Sequence, residues 1–386
     1  MIPYGRQHID EDDIAAVVEV LKSDFLTQGP AVPAFEQHVA ELNQAQFAIA
    51  CNSATSALHL ACLALGVGVG SRVWTSPLSF VASANCARYC GASVDFIDVE
   101  PESGNLCIST LRQKLELARA NDTLPDVVIA VHLAGLSCDM QQLYHVSHEF
   151  GFRIIEDASH AVGGSYQGKP IGCCQYSDIT VFSFHPVKII TTGEGGMALT
   201  NNAELAKQMQ LLRSHGITRD EAEMTEPSHG SWYYQQLQLG FNYRMTDLQA
   251  ALGLSQSNRL PDFIAKRQHI AARYHQLLAS LSLDTPEVPA DIISSYHLYI
   301  VRLHDKTQRK SVFNALRAAG IGVNVHYIPI HTQPYYQQLG FDWGDLPQAE
   351  LFYERIISLP MFPDLTEAEQ DHVVATLEAA LLAVSP

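Results

Sequence analysis

Lys188 stands at the end of an apolar run in "DITVFSFHPVKIITTGEGGMALT", residues 178 to 200, and the chain then turns on threonines and glycines into a second apolar run. A lone amine in that position can attack a carbonyl carbon and form a Schiff base. Other apolar runs end on residues with complementary chemistry. "FRIIEDASH" delivers Asp157 and His160, and "FAIAC" leads to Asn52, Ser53, Ala54, Thr55 and Ser56. The latter reads as a helix N-terminus, whose free N–H groups and dipole suit a phosphate. "RVWTSPLSF" leads to Phe80, a flat apolar face, and "DITVFS" carries the Ser183 hydroxyl. Pyridoxal phosphate needs this set. Its aldehyde takes the lysine, and its ring nitrogen needs a carboxylate that favours the protonated form, so that the ring can absorb carbanion charge. Its phosphate takes the hydroxyls and helix amides, and its ring takes an aromatic partner.

Each residue alone has a plainer reading. A lysine after a strand is usually solvated, an aspartate or serine there is often a cap, and a Phe among apolar neighbours is usually core. The weight lies in the set, because ligands of open α/β sheets collect outside the carboxyl ends of the strands. The runs "FAIAC", "RVWTSP", "SVDFIDV", "DVVIAVHLAG", "FRIIEDASH" and "DITVFSF" read as buried strands alternating with helices, which predicts a mostly parallel sheet covered on both faces. "GGMALT" follows its strand too closely for a crossover and is expected to return antiparallel. Helices are expected from Asp10 to Leu21, with Ile14, Val17, Val18 and Leu21 on one stripe, and near Val32 to Leu42. A long helical stretch interrupted by Pro261 leads to a smaller C-terminal α+β domain. There "YHLYIVRL" reads as a strand, "SVFNALRAAGIGVNVHYIPI" as helix then strand, and "TEAEQDHVVATLEAALLAV" as a closing helix. The expected domains are 1–250 and 251–386.

A net charge of −17 over 386 residues argues against nucleic acid and against a basic membrane-binding face. No stretch reaches the roughly 20 uninterrupted apolar residues of a membrane span, and the polar start "MIPYGRQHIDEDD" has no signal-peptide core. The eight cysteines form no C-x-x-C pair and are expected to be free thiols in a reducing cytoplasm. No metal site is expected. "LGVGVGSR" lacks the ending of a phosphate-binding loop and follows a helix, so it reads as a turn.

"FSFHPVKIITTGEGG", "IIEDASHAVGGSYQGKPIG", "CNSATSALHLA" and "LGFNYRMTDLQAALGLSQ" resemble the DegT/DnrJ/EryC1/StrS sugar aminotransferases, and the likeness covers almost the whole chain. The resemblance implies the α/β fold-type-I aminotransferase architecture, with a mostly parallel seven-stranded sheet. It implies Lys188 as the Schiff-base lysine, Asp157 as the pyridinium partner and His160 beside the ring hydroxyl. Ala54, Thr55 and Ser183 fall on phosphate contacts and Phe80 on the stacking position. Asn242 matches a residue that reaches the cofactor of a neighbouring subunit, so a homodimer with composite active sites is implied. Tyr4, Gln28, His185, Arg244, His326 and Tyr327 match the region of the sugar-nucleotide pocket. Some relatives carry histidine in place of the lysine and act as dehydrases, so the lysine implies amino transfer. The implied substrates are L-glutamate and a UDP-linked keto-sugar. A cofactor-bearing regulator without catalysis is the rival of another class, and the chain has no DNA-binding region to support it.

Overall fold

The computed structural model describes residues 1–383, so residues 384–386 of the expected second domain lie outside it, Val384 of the expected closing helix among them. Seven strands build the large sheet: β1 (Phe47–Cys51), β2 (Arg72–Thr75), β3 (Ser93–Phe96), β4 (Val127–Val131), β5 (Arg153–Asp157), β6 (Ile179–Ser183) and β7 (Gly196–Thr200). Their order across the sheet is β1-β7-β6-β5-β4-β2-β3. β4, β6 and β7 are buried along their whole length, as strands covered on both faces must be. All neighbours run parallel except β7, which lies antiparallel between β6 and β1. The short return expected of "GGMALT" is therefore present, with Gly196 opposite both Ser183 and Cys51.

Several of the helices packed with this sheet start at side-chain caps. α1 (Glu11–Lys22) has the Asp10 side chain accepting from the amides of Asp12 and Asp13. α2 (Ala31–Asn43) follows, and α3 (Ala54–Ala64) is capped by Ser53, whose side chain accepts from the Ser56 amide. Next come α4 (Ala82–Tyr89), α5 (Ile108–Ala120), α6 (Met140–Phe150) and α7 (Ala203–Arg213). The helical stretch broken at Pro261 is two helices, α8 (Asp247–Asn258) and α9 (Leu260–Leu278), with Pro261 in the first turn of α9.

α1 inverts the usual arrangement of a surface helix. Its one buried residue is Asp13, which accepts from Ser255 Oγ at 2.7 Å and Gln256 Nε2 at 2.6 Å and pairs with Arg259. Ile14 and Leu21 of the apolar stripe are 48% and 56% exposed.

The expected boundary at 250 falls inside α8, which packs on α1 and α2. The core changes hands within α9. Phe263 joins the cluster under the large sheet, whereas Ile270 and Tyr274 join a second core with the strands Leu283–Asp284, Tyr299–Leu303 and Ile356–Leu359 and the closing helix Glu367–Ala383. The strand expected at the end of "SVFNALRAAGIGVNVHYIPI" does not form. That segment makes only single pairings, Ile321 with Ile2 and Asn324 with Ser358, while the Ile330 amide turns to Pro77. No one strand runs beside it, so it has no ladder, and Ile356–Leu359 takes the sheet position instead. Among the described residues no helix is long and apolar enough to cross a membrane, and all eight cysteines are free.

Candidate active site

A cleft of ≈ 440 Å³ opens at the carboxyl rim of the large sheet. Ala54 and Thr55 reach it from the start of α3, Asp157 and His160 from the end of β5, and Ser183, His185 and Lys188 from the end of β6. Phe80, 61% exposed, flanks it, and Tyr4, His326 and Tyr327 close it from the second core's side. Gln28, Asn242 and Arg244 do not line this cleft. Gln28 is exposed in the loop before α2, Asn242 pairs with Ser214, and the Arg244 guanidinium donates to Ser214 Oγ at 3.1 Å.

Lys188 sits in a turn closed by its own amide to the His185 carbonyl at 2.9 Å. Burial pulls its ammonium down to about 8 from the ordinary 10.5, against the attraction of the Asp157 carboxylate. Asp157 is buried and held by three donors: Ser83 Oγ on Oδ2 at 2.6 Å, and Ser159 Oγ and N–H on Oδ1 at 2.6 and 3.2 Å. Neither serine was singled out in the sequence. Ser159 carried a signal, since a hydroxyl two residues after an aspartate often folds back on it. Ser83 carried none, being 74 residues away on α4.

The His160 ring is buried and hemmed in. Its Nδ1 accepts from the Ala134 amide at 3.3 Å, its Nε2 meets the Tyr327 hydroxyl at 3.0 Å, and the His297 ring lies 4.4 Å away, centre to centre. Burial lowers its basicity well below the usual histidine range, and Lys188 and His326 add to this. His326 is lowered to about 4 by burial and by Lys188, and its Nδ1 is paired with Ser358 Oγ at 2.8 Å. His297 was also missed: it lines the cleft, and its buried Nδ1 has no hydrogen-bond partner among the described residues.

The donor set fits pyridoxal phosphate. At the start of α3 the Ser56 and Ala57 amides are capped by Ser53, whereas those of Ala54 and Thr55 donate to no atom of the described residues and open toward the cleft. The Gly196 backbone presses on this turn so closely that a Cβ there would stand 2.3 Å from the Ala54 nitrogen. The helix amides, the carboxylate and the amine thus face one space. A pyridoxal-phosphate transaminase is built around such a space, and the class follows from it. Residues 7–378 match the DegT/DnrJ/EryC1/StrS aminotransferase family, and the chain belongs to that family.

Its relatives agree in extent. The spore coat polysaccharide biosynthesis protein SpsC of Bacillus subtilis is 38% identical over 379 residues, covering 97% of this chain and 95% of SpsC. Helicobacter pylori PseC, an aminotransferase involved in the biosynthesis of pseudoaminic acid, superposes with a TM-score of 0.91 at 31% identity, over 99% of each chain. The putative sugar aminotransferase Spr1654 of Streptococcus pneumoniae, in its PLP form, superposes with a TM-score of 0.90 at 31% identity over 100% of each chain. The protein is accordingly a PLP-dependent sugar aminotransferase.

Proposed function

We propose that the enzyme moves an amino group from L-glutamate to C4 of a UDP-linked 4-keto-6-deoxy-N-acetylhexosamine, the amination of a pseudaminic acid pathway. The observation that carries the substrate reading is the end-to-end similarity to PseC. The proposal extends to the residues. Lys188 would join the cofactor aldehyde, Asp157 would face its ring nitrogen, and Phe80 would cover its ring. Ala54, Thr55 and Ser183 would take the phosphate, and His185, His326, Tyr327 and Tyr4 would meet the substrates.

When bound, the cofactor supplies an electron sink for charge at the carbon that loses or gains nitrogen. The chain supplies the rest. An amine whose pKa is near 8 is partly neutral at physiological pH, so Lys188 Nζ can both accept and return a proton. The donors on Asp157 fix the direction its carboxylate presents to the cleft.

The site also calls for a second copy of the chain. Lys188 is the only lysine or arginine that lines the cleft among the described residues, whereas the substrates carry carboxylates and a diphosphate. We therefore place Asn242, Arg244 and Gln28, which lie outside the chain's own cleft, at the cleft of a two-fold partner. The exposed stripe of Ile14, Leu21, Phe25 and Leu26 gives such a dimer an apolar face to bury.

The similarity to SpsC supports a second reading, in which the acceptor is another keto-sugar nucleotide, such as a 4-keto-pentose or a 3-keto-hexose. Incubating the enzyme with L-glutamate and a panel of keto-sugar nucleotides, read by mass spectrometry, separates the two. Amination of the UDP-4-keto-6-deoxy-N-acetylhexosamine above all others is expected, and preference for a pentose or 3-keto acceptor would replace the first reading with the second. The Lys188→Ala variant is expected to give no multi-turnover product with any of them.

A further inference from the structure

The contacts of His160 determine which group can donate a hydrogen bond to the cofactor's ring oxygen. Its Nδ1 accepts from the Ala134 amide, so in the neutral ring the proton sits on Nε2. That Nε2–H donates to the Tyr327 oxygen at 3.0 Å, which leaves the Tyr327 hydroxyl proton free to turn into the cleft.

Other contacts fix the ring in this state. The Ser295 hydroxyl donates to the His160 carbonyl at 2.7 Å, and the Ser295 amide donates to the Gly135 carbonyl. Gly135, at φ +98°, permits that approach, since a Cβ there would stand 2.4 Å from Ser295 Oγ and 2.9 Å from the His160 carbonyl oxygen. The His297 ring packs against the imidazole with centres 4.4 Å apart, and the Tyr327 ring lies 5.9 Å away, 22° from parallel.

We infer that Tyr327, not His160, donates the hydrogen bond to the ring oxygen of the bound cofactor, and that His160 is a positioning residue acting through Tyr327. Titration supports the assignment. Burial and the Asp157 carboxylate raise the Tyr327 phenol, so its proton stays on through the neutral range. Burial, Lys188 and His326 keep the imidazole of His160 neutral. The groups facing the pair are Lys188, Asp157, Tyr4, His297 and His326. This rests on the reading that Lys188 carries the cofactor.

A donor on the ring oxygen stabilises its anion and so lowers the pH at which the lysine-linked cofactor loses its imine proton. The test is the pH titration of the absorbance of the bound cofactor in wild type, Tyr327→Phe, His160→Leu and the double variant. Tyr327→Phe is expected to raise the midpoint by about one pH unit, a tenfold change in acidity. His160→Leu should raise it by a smaller amount, and the double variant should match Tyr327→Phe. His160→Gln, which retains a donor, should restore most of the wild-type midpoint. A lowered melting temperature alone would leave these midpoints unmoved. An unchanged midpoint in Tyr327→Phe, or a His160→Leu shift that persists in full without Tyr327, makes His160 the direct donor and overturns the inference. A wild type whose absorbance does not report a lysine-linked cofactor overturns the underlying reading instead.

Discussion

The role proposed for Lys188, nucleophile and proton carrier, requires an amine that is not fully charged, and the cost of that requirement falls on stability. An unfolded lysine holds its proton up to about 10.5, whereas the folded one releases it near 8. Between those values the unfolded chain binds more protons, so the stability of the cofactor-free protein rises with pH through that window, and below about 8 the penalty is fully present. Lys188→Met is therefore expected to melt above wild type at pH 7 when both are free of cofactor, with the difference narrowing from pH 8 toward 10.5. Melting curves across that range check it, and a difference that ignores pH would remove the desolvation account. At this scale the sequence was most legible where chemistry attaches to one side chain. Lys188, Asp157 and Ser183 could be singled out because Asp157 and Ser183 end apolar strands and Lys188 follows in the turn after one, and the cleft brings the three together. Ser83 and His297 could not, because their roles depend on which helix and strand fold back over the rim.

Strands and helices carry the positions of these groups, and β7 and α3 approach each other closely. The Gly196 Cα faces the backbone of Ser53 and Ala54, so any side chain there must push the first helical turn away from the cleft. Gly196→Ala is expected to cost about 1–3 kcal/mol of stability through this overpacking and to weaken cofactor affinity at least about tenfold, because the Ala54 and Thr55 amides move. Thermal melts and cofactor titration of the apoenzyme measure the two effects. A variant that folds and binds as wild type does would show that the amides are not the phosphate cradle. Most elements were readable from period and caps, including the antiparallel return of β7 and the break at Pro261. The segment ending "VHYIPI" was misread as a strand because its apolar alternation is that of a strand, while its partners are scattered over Ile2, Ser358 and Pro77. Alternation reports which side chains are buried and is silent on whether a neighbour runs alongside.

At the scale of the whole molecule, α1 shows how helical spacing can describe the wrong surface. Its stripe has the period of a core-facing helix, yet the chain anchors α1 by burying Asp13 against Ser255, Gln256 and Arg259. The stripe is left outward, which suits burial against a second copy of the chain. Replacing Ile14 and Leu21 together by lysine should shift the proposed dimer toward monomer at micromolar concentration in sedimentation experiments. It should also reduce turnover, since the cation proposed to complete each cleft, Arg244, comes from the other chain. If this variant sediments as wild type does, the stripe is not the contact. The boundary expected at 250 lies inside α8, which packs on α1 and α2, and it is within α9 that the chain passes from one core to the other.

The antiparallel seat of β7 has one more consequence. The connection bearing Lys188 leaves the rim at Ser183 and must come back to it at Gly196, directly opposite in the neighbouring strand. A lengthened or shortened connection would drag the amine out of line, so this stretch has little freedom to vary in length. Adaptation to new sugars is then left to segments tethered less tightly, such as the long excursion between α7 and α8 and the stretch from Ile321 to Ile330, which can be remodelled while the reacting nitrogen stays where it is.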